Sequence, residues 1–329
     1  MKNTKISKKM KKALIIGISG QDGTFLAKLL LENNYEVHGT SRDSVSGNFS
    51  GLKKLDVFEK VTLHSMSLIN FRSVQQTILR IEPDEIYNLA GLTSVGLSFT
   101  EPVDTIESIA IGTLNILEVI RFFSLNVRFY NASSSECFGN TFGNPANEDT
   151  PFQPRSPYAV SKATAFWLVA NYREAYNIYA CSGILFNHES YLRPDRFVTK
   201  KIIKSVCNIK KGKQEKLNIG RIDISRDWGW APEYVVPMNL MLQQENPEDF
   251  VIATGKSISL ERFIELSFDY LDLNYKNFIH IDESLMRPVD ILESIGDPSK
   301  AYEKLGWKAE NQVEDVIKLM IEAELNKTD

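Results

Sequence analysis

The sequence predicts an α/β protein, built on a doubly wound parallel sheet with a smaller α/β lobe in the C-terminal half. Short apolar runs alternate with helical patterns through the first half of the chain, and the first run leads directly into a glycine-rich turn. Alternation of this kind produces right-handed crossovers and a sheet covered by helices on both faces. The chain of 329 residues can form one large α/β domain or two smaller ones.

The first predicted strand, at residues 12–17, ends in the glycine-rich turn. Gly17, Gly20 and Gly23 have the spacing G-x-x-G-x-x-G and precede a helical pattern of apolar residues. Such a turn lets the backbone approach a pyrophosphate and points a helix N-terminus at its negative charge. We therefore predict a Rossmann-type domain that binds a dinucleotide cofactor. The predicted contacts in the turn are Gly17, Gly20, Gln21, Asp22 and Gly23.

The second predicted strand, at residues 35–40, bears on the choice of cofactor. It lacks the terminal carboxylate that would hold the ribose of NAD. Thr40, Ser41 and Arg42 stand there instead, and their hydroxyl and guanidinium groups suit a 2′-phosphate. The sequence therefore favours NADP over NAD, with Arg42 as a cofactor contact.

Strands and helices continue to alternate beyond this point. Further strands are predicted at residues 60–64, 84–90, 127–132 and 179–186, and helices at residues 71–81 and 102–123. The fourth strand ends in Leu89 and Ala90, followed by Gly91, and small residues there would let a cofactor ribose approach. We expect Leu89 and Ala90 to border the cofactor.

A hydroxyl-rich stretch at residues 133–136 follows the fifth strand, and a Tyr-x-x-x-Lys motif lies on the next predicted helix. Tyr158 and Lys162 are one turn apart, so the ammonium is expected to favour the phenolate and lower the pKa of the tyrosine. Ser134 and Glu136 stand at the carboxyl end of a strand, where open α/β sheets bind ligands. These four residues predict a dehydrogenase-type site with an additional acid/base.

The overall composition argues against several other classes of partner. The net charge of −4 implies no general attraction to nucleic acid or to a membrane surface. Residues 1–12 carry six lysines without an apolar stretch behind them, and we expect a basic tail with no targeting role. Cys137, Cys181 and Cys207 lack paired spacing, which predicts reduced thiols in a cytoplasmic protein. No spacing of His, Cys and Asp predicts a metal site.

Cationic residues are frequent after the last predicted strand of the first half. Asn187 ends that strand, a basic stretch follows at residues 192–201, and Arg226 and Arg287 come later. Such groups suit a nucleotide diphosphate and its sugar. We therefore expect residues 1–188 to form the NADP-binding domain and residues 189–329 mainly the substrate lobe, with some later segments returning to the first domain.

Several longer runs carry a specific resemblance. They lie at residues 17–23, 82–89, 154–160, 171–176, 183–190, 226–229 and 297–301. On these runs, from Ala13 to about Glu324, the chain resembles the GDP-mannose 4,6-dehydratases, in the nucleotide-sugar branch of the extended short-chain dehydrogenases.

The resemblance implies an internal redox reaction on a GDP-sugar. Tyr158 would take the proton of the sugar 4-hydroxyl while hydride passes from C4 to NADP, and Ser134 would hydrogen-bond that oxygen. Glu136 would remove the acidified C5 proton and help water leave from C6, where the hydride returns. The resemblance adds Leu68, Lys162 and His188 as cofactor contacts and implies a homo-oligomer, a dimer or a tetramer. Its implied substrate contacts are Asn187, Thr199, Lys200, Arg226, Arg287 and Asp290.

The sequence departs from the family pattern at residues 42–43, 66–68, 91–95 and 191–194. Other readings of the chain therefore stay open. The substrate could be another GDP-sugar such as a GDP-heptose, or the enzyme could be a nucleotide-sugar 4-epimerase or decarboxylase. An epimerase would leave Glu136 idle. A remoter alternative is a regulatory protein that binds NADP without turnover.

Overall fold

The computed structural model describes residues 10–326, so most of the predicted basic tail, residues 1–9, lies outside the described residues. The strands of this part are β1 (Lys12–Ile16), β2 (Glu36–Ser41), β3 (Thr62–Ser65), β4 (Glu85–Asn88), β5 (Arg128–Ser134), β6 (Ala180–Leu185), β7 (Asn187–Glu189), β8 (Leu217–Ile219), β9 (Ser225–Arg226), β10 (Trp228–Trp230), β11 (Phe250–Ile252), β12 (Ile258–Ser259) and β13 (Ile279–Ile281).

The helices are α1 (Gln21–Glu32), α2 (Ser50–Lys54), α3 (Phe71–Ile81), α4 (Val95–Ser98), α5 (Pro102–Ile106), α6 (Gly112–Phe122), α7 (Pro157–Tyr176), α8 (Val198–Lys210), α9 (Ala231–Met241), α10 (Leu260–Asp269), α11 (Ser299–Leu305) and α12 (Val313–Leu325). Short 3₁₀ turns at Phe58–Lys60, Ser135–Cys137, Tyr275–Asn277 and Glu283–Leu285 join some of them.

A seven-stranded parallel sheet forms the centre of the first domain, in the order β11-β6-β5-β4-β1-β2-β3. The strand order reverses on either side of β1, whose Ile16 is in register with Thr40 of β2 and Asn88 of β4. This reversal is the switch point at which doubly wound sheets bind ligands. The predicted Rossmann-type α/β fold is confirmed.

Helices cover both faces of this sheet because its strands are apolar on both sides. On one face, Leu26 of α1 and Met238 of α9 share an apolar cluster with Ile15. On the other face, helices α3, α6 and α7 pack against Leu14 and Phe129. Fully buried parallel strands of this kind require apolar side chains on both faces.

The helix predicted at residues 102–123 is divided in the structure. Between α5 and α6, a π-helical turn spans Glu107–Ile111, and the Thr113 hydroxyl donates to the Ile109 carbonyl oxygen at 2.7 Å. Such turns insert one extra residue into a helix and often occur at functional sites. Here the turn brings Ile109 into contact with Tyr158 and Ala165 of α7.

A second apolar cluster lies under the C-terminal lobe, where α8, α10 and α12 pack together around residues such as Phe263 and Ile317. The later strand β11 pairs with β6 and so extends the first sheet, and α11 packs against it. The chain therefore crosses from one lobe to the other more than once. No helix in the described part of the chain is both long and apolar enough to cross a membrane.

Candidate active site

A cavity of about 400 Å³ lies between the carboxyl ends of the central strands and the C-terminal lobe. Its walls combine residues from the first domain with residues from α8, β9 and the loop after β13. The sequence-predicted residues that border it are Asp22, Leu89, Ser134, Glu136, Tyr158, Lys162, Asn187, His188, Thr199, Arg226, Arg287 and Asp290. Folding thus brings the predicted acid/base residues and the predicted arginines to one cleft.

Tyr158 is positioned by the start of α7. Ser156 caps this helix by accepting a hydrogen bond from the Ala159 amide at 3.1 Å, and Pro157 occupies its first turn. The phenol is buried, and a hydrogen bond with Ser134 favours its ionised form. Burial outweighs this effect and raises the pKa of Tyr158 well above its ordinary value. The lowering of this pKa expected from Lys162 together with a positively charged nicotinamide does not occur in the protein alone, because burial outweighs it.

Lys162 lies one turn further along α7 and is also buried. Its ammonium donates to the Ala132 carbonyl oxygen at 2.6 Å, and lies 5.9 Å from the centroid of the Tyr158 ring. Burial lowers the pKa of Lys162 to about 8. The lysine is thus held beside the phenol, and it can lose its charge in the mildly alkaline range.

Glu136 stands in the 3₁₀ turn that follows β5, and its backbone amide donates to the Ser134 hydroxyl at 3.3 Å. Burial raises the pKa of this carboxyl, and the nearby cations of Arg226 and Arg287 oppose the increase. A carboxyl whose pKa is raised in this way holds a proton more readily than an ordinary glutamate, which suits a group that must both accept and return one.

Opposite Glu136, Asp290 joins the two arginines. Its Oδ1 atom accepts from Arg226 at 2.9 Å and from Arg287 at 3.4 Å. The Arg226 guanidinium is buried and donates at 2.8 Å to the Ile291 carbonyl oxygen as well. The arrangement places two guanidinium groups at the cleft with one carboxylate between them, which leaves net positive charge for an anion.

Comparison with known proteins identifies the family. Residues 14–320 match the family model described as GDP-mannose 4,6 dehydratase. The chain belongs to the GDP-mannose 4,6-dehydratase family. GDP-mannose 4,6 dehydratase 1 of Arabidopsis thaliana is 45% identical to it over 330 residues, which cover 97% of this chain and 91% of that protein.

Two solved structures have a fold similar to that of this chain. UDP-glucose 4-epimerase of Thermus thermophilus, in complex with NAD, has a TM-score of 0.85 at 20% identity and covers 96% of this chain and 100% of its own. The RMD protein of Pseudomonas aeruginosa, complexed with NADPH, has a TM-score of 0.79 at 22% identity and covers 96% of this chain and 99% of its own. At this level of identity the likeness concerns the fold.

The glycine-rich turn of this family member has the shape that a dinucleotide requires. Gly17 has a φ of +90°, and a Cβ atom there would lie 3.1 Å from the Ala90 Cα atom. At Gly23 a Cβ atom would lie 2.4 Å from the Gly17 carbonyl oxygen, while Gly20 caps α1 without a side chain. The turn therefore leaves the N-terminus of α1 open to a pyrophosphate, and the residues fit a dinucleotide cofactor.

The side chains of Gln21 and Asp22 are directed at the chain itself. Gln21 donates to the His188 carbonyl oxygen at 3.2 Å and accepts from the Ser190 hydroxyl at 2.7 Å. The Asp22 carboxylate lies 2.9 Å from Nε2 of His188. The side chains of Gln21 and Asp22 join α1 to the segment around β7. We therefore expect these residues to contact a cofactor through their backbone groups.

The remaining predicted cofactor residues lie outside the 400 Å³ cavity. Arg42 is exposed just after β2. Leu68 is partly buried, and its carbonyl oxygen accepts from Asn115 at 2.7 Å. Ala90 lies beside the turn at Gly17. These positions follow the carboxyl ends of β2, β3 and β4, along the same edge of the sheet as the cleft.

Two neighbouring residues of α8 have different surroundings. Thr199 is buried at the cleft, and its hydroxyl has no hydrogen-bond partner among the described residues. The Lys200 ammonium lies 2.6 Å from the buried carboxylate of Glu324 in α12. Lys200 is therefore a poor choice as a substrate contact, which corrects the prediction. Lys201, which was not selected, borders the cleft instead.

Three further arginines lie at the site that were not predicted as contacts, two in the basic stretch at residues 192–201 and one after β8. Arg193, Arg196 and Arg221 border the cleft. Arg193 forms a 3.0 Å ion pair with the buried Glu189, and its guanidinium lies 3.8 Å from the centroid of the Phe197 ring. The spacing of charges in the stretch could have indicated Arg193 and Arg196, but not Arg221. Within residues 10–326, no group of three or more His, Cys, Asp or Glu side chains could hold a metal ion.

Proposed function

We propose that this protein removes water from a GDP-sugar, GDP-mannose in the simplest case, and gives a GDP-4-keto-6-deoxy sugar. The single observation that carries the proposal is the position of Glu136. It borders the same cleft as Ser134, Tyr158 and the paired arginines, and burial raises the pKa of its carboxyl. A 4-epimerase on the same fold has no use for an acid/base at this position. The names of the relatives, GDP-mannose 4,6-dehydratases at 40–45% identity, agree with this choice.

A bound nicotinamide dinucleotide would supply reversible hydride transfer. The chain would bind it through Gly17, Gly20 and Gly23, with Lys162 as a cation near its reactive end. Tyr158 would accept the proton of the sugar 4-hydroxyl, and Ser134 would hydrogen-bond the same oxygen. Because burial raises the pKa of Tyr158, the phenolate must be stabilised within the assembled complex.

Glu136 would act on the other side of the sugar. Once C4 is a ketone, the C5 proton is acidified, and the Glu136 carboxylate can remove it. The same carboxyl can then protonate the hydroxyl that leaves from C6 as water. Return of the hydride to C6 would be matched by a proton from solvent at C5, for which Glu136 is the nearest acid/base, and Tyr158 would release the 4-hydroxyl proton to solvent. The direction of the pKa shift of Glu136 fits both tasks, since burial makes the acid form easier to reach than in an ordinary glutamate.

We infer that NADP is the preferred cofactor and that Arg42 contacts its 2′-phosphate. The neighbouring Asp43 is the obvious objection, because a carboxylate would repel a phosphate. Its Oδ1 atom, however, accepts hydrogen bonds from the backbone amides of Val45 and Ser46 at 2.8 and 3.0 Å. The carboxylate stays ionised but is held within its own turn, so a phosphate site at Arg42 depends on the attraction of the guanidinium outweighing the repulsion from Asp43.

The nucleotide diphosphate would be held by cations on the lobe side of the cleft. Arg226 and Arg287 are the strongest candidates, with Asp290 fixing their orientation. Asn187 and the Thr199 hydroxyl, which has no partner within residues 10–326, would provide polar contacts. Lys201 replaces Lys200 in this proposal.

We propose that the protein forms a homodimer through α5, the π turn and α7. Large apolar side chains are exposed on this face, among them Val103 at 64% and Trp167 at 61%. Ile106, Ile111 and Val160 are exposed on the same elements. A second copy of the chain would cover a continuous apolar face of this kind.

The three buried free cysteines fit a reducing compartment, in line with the cytoplasm.

A panel of nucleotide sugars tests the proposed function. Purified protein is incubated with NADP and, separately, GDP-mannose, a GDP-heptose, UDP-glucose or dTDP-glucose, and the products are weighed by mass spectrometry. Loss of one water from GDP-mannose supports the proposal. Loss of water from the GDP-heptose alone would move the substrate within the GDP-sugars. Epimerisation or decarboxylation without loss of water would overturn the proposal.

A further inference from the structure

We propose that Asp22 and His188 form an ion pair in which the imidazolium cancels the charge of the Asp22 carboxylate beside the cofactor cleft, and that cofactor affinity depends on this cancellation. Asp22 is a positioning residue here, acting through His188. The inference rests on the proposed binding of NADP, and it concerns a contact between α1 and β7, which are 166 residues apart in the sequence.

The hydrogen bonds of His188 determine its protonation. Nδ1 lies 2.7 Å from the Phe186 carbonyl oxygen, and Nε2 lies 2.9 Å from the Asp22 carboxylate. A carbonyl oxygen and an ionised carboxylate can only accept, so both ring nitrogens must carry a proton. His188 is therefore an imidazolium and Asp22 a carboxylate, with opposite charges that cancel.

The surroundings of the pair agree with this assignment. The pKa of Asp22 is lowered to about 2, and that of His188 is raised; burial opposes both shifts, and the mutual attraction of the two charges overcomes it. Arg193 faces both members of the pair and lowers the pKa of each, and Lys162 and Tyr130 face Asp22. The ring of Tyr234 in α9 is stacked on the imidazole, with 4.6 Å between the ring centroids. The pKa of Tyr234 is raised far above its ordinary value, so it stays neutral.

The pair stands where charge matters for an anionic ligand. Asp22 lies in the first turn of α1, whose N-terminus would face the pyrophosphate. An unpaired carboxylate there would repel the cofactor. Because His188 has a raised pKa, its charge persists to a higher pH than that of an ordinary histidine and is lost as the pH rises through that pKa. Above it, the pair has a net charge of −1 and cofactor binding should weaken.

Two variants test whether the charges of the pair affect cofactor affinity or whether the pair only holds α1 against β7. In Asp22→Asn, the asparagine amide can donate to a neutral imidazole, so the pair is neutral without a proton on Nε2. In His188→Gln, the Asp22 carboxylate is unpaired at every pH above its own pKa. Asp272→Asn is the control, because Asp272 is an exposed carboxylate with φ of +55°, a conformation that asparagine tolerates.

The test is calorimetric titration of each protein with NADP⁺ from pH 6 to pH 10, without any sugar. In the unaltered protein and in Asp272→Asn, the Kd should rise by about tenfold at alkaline pH. Asp22→Asn should bind tightly with a smaller rise, and His188→Gln should bind about tenfold more weakly already at pH 6. Lys162 also loses its proton in this pH range in every one of these proteins. The conclusion therefore rests on how the Kd profiles differ between the variants.

Nitrogen-15 NMR of the histidine side chains reports on the pair directly. His188, assigned by its loss in His188→Gln, should carry two protons at pH 7 in the unaltered protein and one in Asp22→Asn. A single proton on His188 in the unaltered protein would overturn the proposal, as would the same Kd profile in Asp22→Asn and the control. Neither measurement uses a sugar, so its outcome does not depend on whether the protein dehydrates GDP-mannose.

Discussion

The ammonium of Lys162 lies 2.6 Å from the carbonyl oxygen of Ala132, the residue two positions before Ser134 in β5. This contact fixes the lysine against the strand that carries the acid/base residues. The same burial that holds it there lowers the pKa of Lys162 to about 8. The lysine therefore acts as a cation beside Tyr158 only below that pH.

Replacement of Lys162 tests whether this charge is needed. Lys162→Met should lower kcat by roughly 10²–10⁴-fold below about pH 8, because the phenolate of Tyr158 loses its nearby cation, and the difference from the unaltered protein should narrow at higher pH. In the unaltered protein kcat should decrease above about pH 8, where Lys162 loses its proton. The pH profile of kcat checks both statements. If kcat of Lys162→Met decreased in the same way above about pH 8, another group would be responsible for that decrease.

Removal of the Glu136 carboxylate should separate oxidation from dehydration. Glu136→Gln cannot take the C5 proton, so kcat for loss of water should decrease by roughly 10²–10⁴-fold, while Tyr158 can still accept the 4-hydroxyl proton. Single-turnover absorbance should then reveal reduced cofactor that persists. Glu283→Gln, an exposed glutamate in the 3₁₀ turn after β13, is the matched control. Full dehydration by Glu136→Gln would remove this residue from the mechanism.

Asp290 should matter for both stability and substrate binding. Asp290→Asn leaves the buried Arg226 without its anionic partner, which should cost about 3 kcal/mol in the free energy of unfolding. The KM for the GDP-sugar should increase by about tenfold because the two guanidinium groups lose their common acceptor. Urea unfolding and steady-state kinetics measure the two effects. If neither quantity changes, the bridge between the arginines is unimportant.

Arg42 should distinguish the two cofactors. Arg42→Ala should weaken NADP binding by roughly tenfold and leave NAD binding unchanged, because only NADP carries the 2′-phosphate. Arg72→Ala, on the exposed side of α3, serves as the control for lost charge. Titration with each cofactor gives the ratio of affinities. Equal losses for NADP and NAD would argue against a 2′-phosphate contact.

The proposed dimer face can be tested without activity. Trp167→Glu places a charge at the centre of the exposed apolar face on α7, so a dimer should dissociate. Phe122→Glu alters an exposed aromatic residue at the end of α6 and is the comparison variant. Light scattering after gel filtration should give half the mass for Trp167→Glu alone. A dimer in both variants would move the interface elsewhere.

The order of elements and the cleft residues could be predicted from the sequence because their motifs are local. Gly17, Gly20 and Gly23 mark one turn, and Ser134 and Glu136 follow one strand. Parallel strands then place such strand ends at one edge of the sheet without further information. For this reason Ser134, Glu136, Tyr158 and the distant Arg226 were all expected near one ligand.

Other features depend on packing that the sequence does not express. Successive residues of a helix point about 100° apart, so motif matching alone could not tell that Lys201 rather than Lys200 borders the cleft. The pKa of Tyr158 depends on how deeply the ring is buried. The pairing of Asp22 with His188 joins residues that are far apart in the chain, and each looked like an independent cofactor contact.

Deuterium incorporation tests the central claim, a dehydration that proceeds through proton exchange at C5 by Glu136. The protein is incubated with GDP-mannose and NADP in D₂O, and the product is examined by mass spectrometry and NMR. The account predicts a product that has lost one water and carries one deuterium at C5, with no such product from Glu136→Gln. Loss of water without deuterium at C5, or an unchanged yield from Glu136→Gln, would contradict it.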